Sequence, residues 1–401
     1  MRRFDDDRPE EETWPDGMKR LEFRGRPAGG GRGRWSEARK RQAEQTLVTE
    51  LLSCPPEKRG ELLAQPRFQE EGLFELLLEL AQEKLPYDAG LAGELVTTAG
   101  EVGLVLEVSG DPETWLHNEG HARALCMMGT ARRLLGDAAR AEEALQNAGH
   151  LAVSPAARGY FCRCLALLRW DQGRIEEAAA LLRQASLRCE QGGSAREEMA
   201  CRALLALLLA EEGEMLRAAP LLDEACSSLE LDPWLAARCE LARALGFALA
   251  GEKKKARAAR EKAWTFYKQV RNEDALLSLH WHEGRVAAWL GEGEDAVHVL
   301  DSVRRQWLQA GRLAETTLAS IDLGLVLWDL HRGAEVADLI GELQARFAET
   351  PGIGLALHAL EGYVRDLVQG SFSREVWSGL APAFRQAFRL QGVSLKPLPF
   401  A

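Results

Sequence analysis

The chain has 401 residues, is 46% hydrophobic, and carries 61 acidic against 50 basic residues for a net charge of −11. An acidic chain is a poor general binder of phosphate backbones, which argues against nucleic acid as its partner. Its apolar residues are mainly Ala and Leu set among Glu and Arg, a mixture that favours helix.

The N-terminus, Met1-Arg2-Arg3-Phe4-Asp5-Asp6-Asp7, has no apolar stretch behind its arginines and does not read as a secretory signal. The longest apolar run, Ala203 to Ala210, is far short of the roughly 20 residues that cross a bilayer. A soluble cytoplasmic protein with no membrane partner is therefore expected. Residues 1–35 are acidic from Asp5 to Asp16, then basic and glycine-rich up to Arg34. Such a segment buries too little apolar surface to offset the entropy of ordering, and it is predicted to be a disordered charged tail. Arginines between Arg24 and Arg34 offer an alternative role in nucleic-acid or partner contact.

Residues 36–111 are expected to form an irregular helical cap over the first repeat. One helix follows Ser36, with Ala38, Ala43, Leu47, Leu51 and Leu52 on one face, and Pro55-Pro56 is expected to end it. Further helices are predicted over 72–85 and 89–106.

From residue 112 the chain is periodic. A turn marker recurs at Gly136-Asp137, Gly173-Arg174, Gly213-Glu214, Gly251-Glu252, Gly291-Glu292 and His331-Arg332-Gly333, with successive spacings of 37, 40, 38, 40 and 40. A period of this size means stacked helix pairs. Seven residues before each marker stands a small residue: Gly129, Ala166, Ala206, Ala244, Gly284 and Gly324. Five after come Ala141, Ala178, Ala218, Ala256, Ala296 and Val336, and nine after come Leu145, Leu182, Leu222, Arg260, Leu300 and Ile340. Small residues let two helices of a hairpin approach, the larger one is expected to fill the gap to the next pair, and the turn glycine suits a left-handed helix end. Pro220 lies inside a predicted second helix and is expected to kink it or shift its start.

This pattern resembles the tetratricopeptide repeat, most clearly over Ala122 to Ala148, and covers six copies in 112–348. In overall style the chain is similar to long bacterial tetratricopeptide proteins that scaffold or regulate signalling and transcription factors. The resemblance implies an all-α, right-handed superhelical solenoid of stacked antiparallel helix pairs. A seventh helix is expected over 352–369 within a C-terminal capping region and tail, 349–401. The spacing is longer than the family's usual period of about 34, which calls for longer helices or loops.

The resemblance also implies that the first helix of each pair lines a concave wall, at ten, six, three and two residues before each marker. Read off here, those positions hold Arg133, Arg163, Trp170, Leu207, Trp281, Arg285, Trp289, Leu325 and Trp328 among others. Trp and Arg are the residues most often found at interface hot spots. The wall suits an amphipathic helix or apolar segment of a partner protein better than a free carboxylate terminus, and the alternative is that the tryptophans pack between repeats as interior.

Chemistry finds less purchase. No phosphate loop, nucleophile elbow or HExxH motif occurs. His117 and His121 share a helix face without a third ligand, and His280 and His282 point about 200° apart. They read as hydrogen-bonding residues. The eight cysteines, at 54, 126, 162, 164, 189, 201, 226 and 239, form no C-x-x-C pair and read as buried thiols in a reducing compartment. No catalytic, cofactor or metal residue is assigned. The expected function is a protein-binding scaffold or adaptor. The alternative is a regulatory sensor, whose groove ligand or own tail controls an effector such as a protease or transcription regulator.

Overall fold

The structure is a computed structural model, described for residues 45–69, 71–85, 88–109, 115–227, 231–270 and 272–348. The tail 1–35, the start of the first helix, and the region 349–401 with its expected helix lie outside these residues. The side chain of His117 does as well.

The cap contains α1, described over 45–53, then α2 (Pro56–Leu63), a short 3-10 turn, α3 (Glu71–Lys84) and α4 (Ala89–Ser109). Helix α1 ends just before Pro55-Pro56, as read, and a helix the reading did not include follows at once. Proline lacks only an N–H that the first turn leaves unpaired, so Pro56 opens a new helix. Arg59 of α2 is buried and reaches α4, where Nη1 donates to Thr98 Oγ1 at 3.2 Å and Nη2 to Glu94 Oε1 at 2.5 Å. Leu77, Val102 and Met127 share one core, so α3 and α4 pack against α5 of the first repeat. Over Ala89–Leu106, α4 is long and apolar enough by length and composition to cross a membrane. Its Leu95, Ala99 and Val102 face is buried in the cap core.

Six helix pairs follow: α5 (Trp115–Leu134) with α6 (Ala138–Leu151), α7 (Pro155–Asp171) with α8 (Ile175–Gln191), and α9 (Ala195–Glu211) with α10 (Met215–Ser227). Next come α11 (Pro233–Leu249) with α12 (Lys253–Tyr267), α13 (Glu273–Leu290) with α14 (Gly293–Gln309), and α15 (Leu313–Asp329) with α16 (Gly333–Ala348). Successive helices pack on one another, and α5, α7, α9, α11, α13 and α15 also stack in a row. The long period comes from long helices. In the second pair, two 17-residue helices and two three-residue turns, 172–174 and 192–194, make up the spacing.

All six predicted turn markers adopt a left-handed backbone, from His331 at φ 59° to Gly213 at φ 83°. The same bonds close each turn. Asp137 N donates to Arg132 O at 2.9 Å, and Arg332 N to Leu327 O at 2.9 Å. His331 pays a steric cost there that glycine does not. Gly193 and Gly311, between pairs rather than within them, form the same turn at φ 71° and 70°. The acidic turn residues also serve as caps or anchors. Asp137 accepts Arg140 N at 3.1 Å, and Glu292 takes Arg257 at 2.9 Å and Arg260 at 2.6 Å.

The Glu292 contacts explain why Arg260 stands where the other copies carry leucine or isoleucine. Arg260 ties α12 to the α13–α14 turn and lies over the Trp264 ring, 5.3 Å from its centroid. The other copies show what the larger residue does: Leu145 and Leu300 share cores with the first helix of the next pair, and they also pack within their own pair. A Cβ on Gly129 would meet Leu145 at 2.7 Å, and one on Gly284 would meet Leu300 at 2.8 Å. The leucine thus packs on the small residue of its own pair. Of the two expectations for Pro220, the shifted start does not occur: α10 starts at Met215, two residues after its turn glycine as in the other copies. Pro220 has no N–H to give the carbonyl of Leu216, a residue that lies on the exposed face of α10.

Candidate partner-binding face

The residues predicted to line the inner wall divide along the array. In the first three repeats they are sealed. Arg133, Arg163, Trp170 and Leu207 are all buried, with Trp170 only 5% exposed. In the last two they are open: Trp281, Arg285, Leu325 and Trp328 are half-buried, and Trp289 is 45% exposed.

The arginines of the sealed half are engaged with the next helix of the row. Arg133 Nη1 donates to Asp171 Oδ2 at 2.9 Å, linking α5 to α7. Arg163 meets Glu197 at 3.1 Å, linking α7 to α9, and Arg238 donates to Glu211 at 2.9 Å, linking α11 back to α9. Arg163 also lies over the Tyr160 ring, 5.0 Å from its centroid. Between α11 and α13 the link is neutral: Trp234 Nε1 donates to Ala275 O at 3.2 Å. Arg238 is pulled down to about 10 by burial, against the pull of Glu211, and Arg285 adds like-charge repulsion.

Around the open half, Trp281 is held in a defined pose. Its Nε1 donates to Asp322 Oδ2 at 2.7 Å, and its ring meets Trp307 edge-on at 5.6 Å between centroids. Arg285 stands 5.7 Å from the Trp281 ring centroid and 3.7 Å from Asp322. Trp307 itself is buried on α14, with Arg312 5.3 Å from its ring centroid. Arg312 in turn donates to Asp274 at 3.0 Å, a second link between α13 and α15. Trp281 is thus braced from beneath, while Trp289 lies one helical turn beyond Arg285 on α13.

Of the histidines, His282 is buried beside Arg285, and half-exposed His280 contacts Glu283 at 3.3 Å. Glu283 also accepts from Trp264 Nε1 at 2.9 Å and from Tyr267 OH at 3.3 Å. Among the described residues no cluster of three or more His, Cys, Asp or Glu could hold a metal ion.

Sequence reasoning passed over Asp322, Arg238, Glu211's partnership and Trp307. Asp322 and Arg238 lie nine and thirteen residues before their markers, off the positions the family uses for its inner wall. The signal that could have found the links was in hand: Arg133 and Asp171, like Arg312 and Asp274, lie 38 residues apart. That is one repeat, the spacing at which opposite charges on stacked first helices meet.

No protein-family profile and no curated protein matches this chain. Solved structures do. A Rap protein crystallised in complex with competence and sporulation factor aligns with a TM-score of 0.59 at 13% identity, over 80% of this chain and 89% of that one. Aspartyl phosphate phosphatase F from Bacillus subtilis aligns with a TM-score of 0.48 at 13% identity, over 93% of this chain and 98% of that one. At such identity the first likeness speaks for the fold. Together with six left-handed turns at repeat spacing, it makes this chain an all-α, tetratricopeptide-like solenoid of stacked helix pairs.

Proposed function

We propose that the chain is a protein-interaction adaptor that holds a peptide or helix of a partner on the inner face of its last two repeats. The observation that carries this is the exposure of Trp289 beside half-buried Trp281, Leu325 and Trp328, a group of large apolar side chains open on the wall where the first two repeats keep Arg133, Arg163 and Trp170 buried. Aromatic rings held in place from below offer contact area at little entropic cost, the property of interface hot spots. Arg285, Asp322 and the exposed Asp329 set charge of both signs beside these rings. We assign the chain no reaction of its own, and its eight thiols, all free, suit a reducing cytoplasm.

The test compares wild type with a Trp281→Ala/Trp289→Ala/Trp328→Ala variant in partner recovery from native extract, with a photo-crosslinking residue at position 289 to tag the bound protein. The variant is expected to lose the tagged partner while keeping its helical circular dichroism. Unchanged capture by the variant would refute the proposal. Trp170→Ala is not an informative test, because its burial couples binding to folding.

A second reading is a regulatory sensor, in which a small peptide or the chain's own tail competes for this face and so controls an effector. It is favoured by the fold-related Rap protein having been crystallised with competence and sporulation factor. Deleting residues 1–34 and measuring partner affinity tests self-occupancy, which predicts tighter binding without the tail.

A further inference from the structure

Lysine is distributed unevenly along the chain. Between residues 85 and 348 every lysine falls within 253–268, at Lys253, Lys254, Lys255, Lys262 and Lys268. All of them are exposed, on α12 or directly after it. Helix α12 is thus strongly basic in a chain whose net charge is −11, and Glu261 is the one acidic residue within it. Elsewhere in the array the permanent cations are arginines, and those of the sealed wall are spent on links such as Arg133–Asp171 and Arg238–Glu211.

Two of the α12 lysines are engaged. Lys255 pairs with Glu252, and Lys262 reaches Glu240 at 2.7 Å and the Cys226 carbonyl at 2.9 Å. Lys253, Lys254 and Lys268 enter no ion pair among the described residues. At about 100° per residue, Lys253, Arg257, Trp264 and Lys268 share one stripe of the helix, with Lys254 beside it. Trp264 on that stripe is 42% exposed, while Ala256, Ala259 and Ala263 form the buried side. A lysine ammonium is a compact, hydrated charge on a flexible stem, so a row of them can follow a run of carboxylates without one fixed geometry.

The sequence holds a run of the opposite sign. Seven of the twelve residues from Asp5 to Asp16 are acidic, Arg8 is the one basic residue, and Trp14 stands among them. Residues 17–44 join this run to the described part of α1. A linker of that length spans about 30 Å as a flexible coil and about 95 Å at full extension. The row from α5 through α7 and α9 to α11 covers about 30 Å at about 10 Å per helix–helix contact, so the acidic run can reach α12.

We propose that the exposed face of α12 docks the acidic segment Asp5–Asp16 of its own chain, with carboxylates on Lys253, Lys254 and Lys268 and Trp14 against Trp264. Each exposed ion pair contributes little by itself. The contact therefore depends on several pairs acting together and on the tether, which keeps the segment at high local concentration. Salt weakens it, because exposed charges are screened beyond about 10 Å at 0.1 M ionic strength. The site is separate from the inner face of the last two repeats, whose helices α13 and α15 carry no lysine, and it does not rest on the partner proposed there.

The experiment treats the full-length protein with a water-soluble carbodiimide in low-salt buffer, which joins a carboxylate directly to a lysine amine in contact with it. Peptide mass spectrometry maps the links, and a mixture of isotope-labelled and unlabelled protein separates links within a chain from links between chains. Links within one chain from Asp5–Glu12 to Lys253, Lys254 or Lys268 are expected, and they should be lost at high salt. They should persist in the Trp281→Ala/Trp289→Ala/Trp328→Ala variant, which separates this contact from the partner-binding face. Cleavage by a glutamyl endopeptidase at Glu10–Glu12 should be faster in a Lys253→Glu/Lys254→Glu/Lys268→Glu variant than in wild type. The proposal is overturned if the acidic segment links only to Lys19 or to nothing on α12, the result a tail seated on the inner face would give. It is equally overturned if the α12 links run only between chains, or if wild type and the lysine variant are cleaved at the same rate. The cross-link map is read on the unsubstituted protein, so it decides whatever the variants do to folding.

Discussion

Removing the carboxylate of Glu211 should cost far more than a surface charge would. Its partner Arg238 is 4% exposed on α11, and besides Glu211 the strongest charge acting on it is the like charge of Arg285. Deleting one member of a buried ion pair costs about 3–5 kcal/mol, because the other charge is left without compensation. Glu211 is itself 21% exposed, so water can enter where its side chain was, and the expected loss for Glu211→Ala is at the low end, about 3 kcal/mol. Replacing both residues by apolar ones, Arg238→Met with Glu211→Leu, removes the buried charge together with its partner and should come out near neutral. Urea unfolding followed by far-ultraviolet circular dichroism measures both proteins against wild type. A Glu211→Ala loss below about 0.5 kcal/mol, the range of exposed pairs, would show that the link between α9 and α11 is a solvated contact. The account of the sealed wall as a row of structural links would then fail.

Two further perturbations probe other parts of the array. His331 occupies a left-handed position that the other five markers give to glycine, so His331→Gly should stabilise by about 1 kcal/mol, seen as a higher denaturant midpoint. Trp307→Ala should cost about 3–5 kcal/mol by emptying the space beneath Trp281. An unshifted denaturation midpoint would show that Trp281 needs no brace.

Much of this architecture was legible in the sequence because each repeat states the same local requirements. A left-handed turn needs glycine, and a close helix crossing needs a small residue opposite a large one. Six copies of that statement set the register of α5 to α16. Where a residue broke the pattern, the sequence alone could mislead. Pro56 both follows the end of α1 and opens α2, and Arg260 stands where the other copies carry leucine or isoleucine because Glu292 awaits it in the following turn. The inner wall was the least legible part. Arg133 and Arg285 occupy equivalent faces of their helices, yet one is buried and the other half-open. Their difference depends on which residues of the neighbouring helix come within reach, Asp171 for one and Asp322 for the other. That is a property of the stack, set a whole repeat away, and no single copy of the motif encodes it.

The left-handed turns at Gly193 and Gly311 carry a consequence for how the chain comes together. They join one pair to the next with three residues each, the same length as most turns inside a pair. Helix α9 is therefore tethered as closely to α8 as to α10, and α15 as closely to α14 as to α16. Around these points the division into repeats, plain in the sequence, does not correspond to a division in mechanical connection. A nascent chain can zip from either hairpin, and its helices pack chiefly on their neighbours in sequence or one repeat away, a condition that favours fast folding. The five-residue connections at 228–232 and 268–272 stand apart from this uniform run and bracket α11 and α12. The packing of α11 on α9 and α13, with the Arg238–Glu211 and Trp234–Ala275 bonds, carries the row across those longer joints.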